Sequence, residues 1–120
     1  MSISNYAENA LLDTLGGTSF SVANVYAQLH TADPGEDGTS SVAGESSREA
    51  VTFGTASGGS LATTASSTWT DVSTAETYSH FSLWDASTAG NCLWTGALSS
   101  TATVAVGDTF QITSLTLTLD

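Results

Sequence analysis

The most restrictive feature of this chain is a two-residue rhythm that recurs in short runs after one helical segment. In "NVYAQLHT", Val25, Ala27 and Leu29 point one way while Tyr26, Gln28 and His30 point the other. "REAVTFG" supplies Val51 and Phe53, and "GGSLATTASSTWTD" reads as one or two Thr-rich strands ending at Trp69. "TYSHFSLWDA" sets Phe81 and Leu83 against Tyr78, His80 and Trp84 on the opposite face. "NCLWTGAL" follows a short Gly90-Asn91 turn, and "TATVAVGD" and "DTFQITSLTLTLD" complete the set. Strands this short, separated by Gly, Asp, Asn and Ser, predict an antiparallel β-sandwich or jelly-roll-like barrel. No helix alternates with them, which excludes a parallel βαβ sheet.

The helical segment spans about 4–15. Ser4 or Asn5 can cap it, and Asn5 with Glu8 has capping-box spacing. Ala7, Ala10, Leu11 and Leu15 fall on one helical face, and Gly16-Gly17 ends the helix. Strands are expected from about residue 22 onward. The last run contains a conflict. Phe110 and Ile112 are even-numbered, whereas Leu115, Leu117 and Leu119 are odd. One strand cannot change faces without an extra residue, so a bulge or break is expected near Thr113-Ser114. With 120 residues, no linker and no repeat, the chain is expected to form one domain over 1–120.

Charge narrows the function classes. Twelve acids face one base, Arg48, giving a net charge of −11, and there is no lysine. Nineteen serines and twenty threonines supply most of the polar surface instead. Nucleic acid is not an expected partner, because phosphate binding needs clustered Lys and Arg. An anionic membrane surface is disfavoured for the same reason. No apolar stretch approaches a membrane span, and "MSISNYAENA" has no secretory-signal pattern. Cys92 stands alone, in an apolar strand, and reads as a small buried hydrophobe.

The acidic stretch "HTADPGEDGTSS" superficially echoes a calcium loop, but Gly35 and Gly44 stand where oxygen ligands belong. It reads as a strand end followed by an exposed acidic turn, and Asp33 and Asp37 remain only as weak metal candidates. No cofactor is expected. His30 and His80 lack zinc spacing and have no G-x-S-x-G nucleophile elbow to serve. No catalytic residue is assigned, and the chain is not expected to be an enzyme. Gly58-Gly59 within "SGGS" opens no helix and reads as a hairpin turn. Arg48 is expected to pair with Glu45, Glu49 or an acid across an interface. Trp69, Trp84 and Trp94 are divided between core and contact patch, with a carbohydrate platform as the competing use. The interface candidates are therefore Leu11, Leu15, Arg48, Trp69, Trp84 and Trp94.

The order of segments carries a resemblance. "SNYAENALLDTLGG", "VYAQLHTADPGEDG", "REAVTFG", "HFSLWDASTAGNCLWTGAL" and "GDTFQI" follow one another along nearly the whole chain. In this it resembles a family of small virion proteins of tailed bacteriophages, with a short S-N-Y-x-E-N helix and a T-x-D-P strand end. The resemblance implies a structural protein of the phage particle and brings no catalytic residues with it. On that basis the chain is expected to be a capsid decoration protein on the particle exterior. The alternative is a tail or tail-fibre component, with an adhesion module as one form of it. The expected partners are other virion proteins, either the major capsid protein or tail proteins, and further copies of the chain as a homo-oligomer. The expected location is the virion, after synthesis in the host cytoplasm.

Overall fold

A computed structural model describes residues 2–119. The elements, in chain order, are β1 (Ser2–Ile3), α1 (Asn5–Leu15), β2 (Val25–His30), β3 (Glu49–Val51), β4 (Ser60–Ala62), β5 (Ser67–Trp69), β6 (Glu76–Trp84), β7 (Cys92–Val104), β8 (Phe110–Ile112) and β9 (Thr116–Thr118). The fold is all-β with one short N-terminal helix, as the alternation requires. Five strands form an antiparallel sheet in the order β1-β7-β6-β2-β3. β4 pairs with β9 and β5 with β8, so residues 60–69 and 110–118 make a bent two-stranded ribbon.

Register explains the core. Leu29 lies opposite Phe81, Ala27 opposite Leu83, and Leu83 opposite Trp94, which aligns their side chains on one face of the sheet. Trp69 and Ile112 from the ribbon close over that face. The expected conflict in the last run is resolved where the parity demands it. β8 ends at Ile112 and β9 starts at Thr116, with exposed Thr113 and Ser114 between them. Four residues, Thr63 to Ser66, stand opposite three, Thr113 to Leu115, so the ribbon kinks.

Two details depart from the sequence reading. Tyr78 is fully buried in the core with Phe81, although simple alternation puts the two on opposite faces. Tyr78 pairs with Ala102 and His80 with Ala97, leaving Ser79 alone opposite Leu98 to Thr101. That bulge breaks the alternation and turns Tyr78 inward against Phe110, whose ring centroid is 5.1 Å away. The first strand is also earlier than expected. Ser2 and Ile3 pair with Thr95 and Trp94, whereas residues 22–24 form no strand.

Segment 31–41 folds back across the other face of the sheet, over Trp84 and Cys92. Pro34 is among the fully buried side chains, and Gly38 is buried too. Gly38 has φ of +71°, and a Cβ there would lie 2.8 Å from the Cys92 sulfur and 3.0 Å from Trp84. The position demands glycine on both counts. Gly58, in the expected "SGGS" hairpin turn, has a similar φ of +60°, but a Cβ there would meet nothing within 4 Å. Gly58→Ala therefore carries only backbone strain, on the order of 1 kcal/mol. Gly38→Ala adds a steric clash and should cost about 1–3 kcal/mol more. Thermal melts of the two variants check this, with Gly38→Ala expected to melt several degrees below Gly58→Ala.

Candidate functional site

The start of α1, loop 31–41 and the β6–β7 turn converge at one end of the sheet. Ser4 anchors the convergence. Its backbone N–H donates to Leu93 O at 3.0 Å, its hydroxyl donates to the Cys92 carbonyl, and its oxygen caps the helix by accepting from Ala7 N at 3.2 Å. Tyr6 stands in the helix's first turn, 42% exposed, held edge-on by Phe20 with ring centroids 6.3 Å apart. Between these segments lies a cleft of about 340 Å³ lined by Asn5, Tyr6, Glu36, Asp37, Thr39 and Asn91, with Trp84 and Cys92 also lining it.

The acids of loop 31–41 organise their own backbone. Asp33 Oδ1 accepts from Gly35 N at 2.9 Å, and Asp37 Oδ1 accepts from Thr39 N at 3.1 Å and Thr39 Oγ1 at 2.7 Å. Those bonds to Thr39 hold the Asp37 carboxyl below its ordinary value. Among the described residues no group of three or more His, Cys, Asp or Glu is placed to hold a metal ion.

Beneath the cleft lies a hydrogen-bonded chain that the sequence did not disclose. Trp84 Nε1 donates to Ser82 Oγ at 2.7 Å, and Ser82 Oγ lies 2.7 Å from His30 Nε2. His30 Nδ1 lies 2.8 Å from Ser40 O. A carbonyl only accepts, so Nδ1 carries the proton and Ser82 donates to Nε2. The Ser82–His30 contact has the length of a nucleophile–base pair. Both residues are fully buried, and a backbone carbonyl stands where an orienting carboxylate would be, so this pair has no access to a substrate.

The expected interface residues divide. Leu11 is 37% exposed and Leu15 86%. Trp69, Trp84 and Trp94 are interior, between 1% and 7% exposed, and none of them forms a surface platform. Each fills a strand position facing covered sheet, which exposure-blind alternation cannot distinguish from a free face. Trp69 also donates its Nε1 proton to Ser47 O at 2.9 Å. Among the described residues Arg48 meets no acid. Its Nη1 donates to Ala86 O at 2.9 Å and Ala89 O at 2.7 Å, and its guanidinium carbon lies 4.0 Å from the Trp84 ring centroid. The chain's one strong cation thus clamps the β6–β7 turn, where Ala89 and Gly90 have positive φ. Cys92 is 5% exposed, and burial pushes its thiol up to about 11.

A second cleft, of about 320 Å³, lies under α1 and is wholly apolar, lined by Ala7, Leu11, Val25, Trp94 and Leu117 among others. α1 leaves Leu12 64% exposed and buries only Ala7.

Burial lowers the His30 pKa from its ordinary value, with His80 and Arg48 contributing in the same direction. The unfolded imidazole gains its proton near pH 6.5, while the folded one resists protonation. His30 therefore costs no stability above about pH 6.5, and stability is lost as pH falls from there toward the depressed folded value. Melting temperature should drop between pH 7.5 and 5.5, and His30→Gln should flatten that slope. Arg48→Lys loses the guanidinium over the Trp84 ring and shifts the donor that serves the two carbonyls, and stability should fall by about 1–3 kcal/mol in chemical denaturation.

No curated protein matches the chain. A family described as podophage GP4 fiber I protein gp80 matches residues 2–120, nearly the full length. The chain belongs to this podophage fiber I protein family, and it is accordingly a bacteriophage virion structural protein.

Proposed function

We propose that the chain is a non-catalytic component of a phage tail or tail fibre, bound to other tail proteins. The observation that carries this reading is the fibre family's match over residues 2–120. It favours the tail alternative over the expected capsid decoration protein, for which no feature of the fold argues specifically. The shape suits the role, since the domain measures 47 × 26 × 23 Å. Antibody-gold labelling of purified particles tests it. Label at the tail is expected, and label spread over the head would return the chain to capsid decoration.

The exposed face of α1 is the proposed attachment surface. Leu12 and Leu15 contribute nothing to the interior, being 64% and 86% exposed. Their removal should therefore leave stability within about 0.5 kcal/mol. Burying them against a neighbour is worth about 25 cal/mol per Å² of apolar area. The Leu12→Ser/Leu15→Ser variant should melt like the parent yet be depleted from assembled particles by immunoblot. Normal incorporation would remove α1 from the attachment surface.

A further inference from the structure

We propose that the Tyr6 cleft is a saccharide site for a neutral pyranose of a host-surface glycan. The proposal rests on the tail or tail-fibre reading and specifies what such a protein would touch. The three tryptophans are interior, so the carbohydrate platform expected of them is not available. Two aromatics line a cleft of mixed polarity, Trp84 at its buried floor and Tyr6, which remains 42% exposed. Phe20 fixes its ring edge-on, so a flat, apolar sugar face meets a preset surface.

The polar groups opposite Tyr6 select the ligand's chemistry. Asp37 engages Thr39 through Oδ1 alone, leaving Oδ2 to accept from a ligand. Asn91 donates to Asp85 through Nδ2, which leaves its Oδ1 as an acceptor. Glu36 has only a 3.5 Å contact from the Ser2 hydroxyl, and the Asn5 amide makes no side-chain hydrogen bond among the described residues. Free acceptors thus outnumber donors, which suits a molecule presenting several hydroxyl protons. Two carboxylates in the lining reject an anionic sugar. A cleft of about 340 Å³ with an exposed aromatic wall, a second aromatic at its floor and a few convergent polar groups fits a small ligand of this kind.

The walls come from residues 4–6, 36–39 and 90–92, three segments far apart in the chain. Loop 31–41 is pinned through Gly38 and Pro34, and the β6–β7 turn through Arg48. The cleft is therefore built before any ligand arrives, which limits the ordering cost of binding.

Saturation-transfer NMR on the purified full chain tests this with methyl glycosides of neutral hexoses and 6-deoxyhexoses, N-acetylhexosamines, glucuronate and tetralysine. At least one neutral sugar should bind with a Kd on the order of millimolar, and glucuronate should not bind. Tyr6→Ala should weaken that binding roughly tenfold, a loss of the size expected for one aromatic contact. Asn5→Ala should weaken it too, and Leu15→Ser should leave it unchanged. Both Tyr6 and Asn5 are exposed, and circular dichroism checks that the variants fold. The proposal is overturned if no neutral sugar binds, if binding survives Tyr6→Ala, if glucuronate binds equally, or if only tetralysine binds. Sugar binding is read on the isolated chain and tail location on particles. A tail label without sugar binding therefore defeats this inference alone, whereas a head label defeats the tail reading.

Discussion

The fold depends on covering both faces of one sheet. β2, β6 and β7 carry large side chains on each side: Leu29, Phe81 and Leu83 on one, and His30, Ser82 and Trp84 on the other. The ribbon of β4, β5, β8 and β9 covers the first face with Trp69 and Ile112. Among the described residues no further sheet covers the second face, which is covered by the irregular segment 31–41. Irregular backbone laid on a sheet must satisfy its own polar groups. It does so with Asp33 and Asp37 as side-chain acceptors and with the backbone bonds Gly38 N to Gly35 O and Ser40 N to Pro34 O. The acidic stretch is thus a covering layer whose carboxylates organise the backbone, and its outer rim becomes one wall of the Tyr6 cleft.

That layer sets the limit of what the sequence disclosed. The helix, its Ser4 cap, the "SGGS" turn and the break near Thr113-Ser114 were legible, because each depends on neighbours within a few residues. The inversion of Tyr78 was not, because it follows from a bulge opposite β7 and leaves no local mark. The burial of all three tryptophans was hidden for a related reason. Alternation says which face a side chain shares, but not whether a distant segment lies over that face. The His30–Ser82–Trp84 chain joins residues up to 54 positions apart and needs the register between β2 and β6 to exist. The cleft itself combines three segments, and none has a motif of its own.

Arg48 shows how charge scarcity shapes such a surface. In a chain with twelve acids and one strong base, the expectation was an ion pair. The guanidinium instead serves two carbonyls through Nη1 and sits over an indole face, a set that suits a delocalised, weakly hydrated cation. Carbonyl oxygens in a turn with positive-φ residues have no strand partner, so they need a donor more than any solvated carboxylate does. The described acids consequently receive no counter-ion from Arg48.

This imbalance bears on how the protein meets its surroundings. Unscreened acids on every copy repel like surfaces within about a Debye length, roughly 8 Å at physiological ionic strength. Close contact is therefore cheapest where the chain is uncharged. The apolar cleft under α1 and the exposed Leu12 and Leu15 on the same helix are such places. The Tyr6 cleft lies at the other end of the helix's first turns and is rimmed by Glu36 and Asp37. One helix thus borders two unlike surfaces, one apolar and one acceptor-rich. A partner protein that buries leucines and a ligand that offers hydroxyl protons can occupy them without competing, because neither chemistry suits the other site.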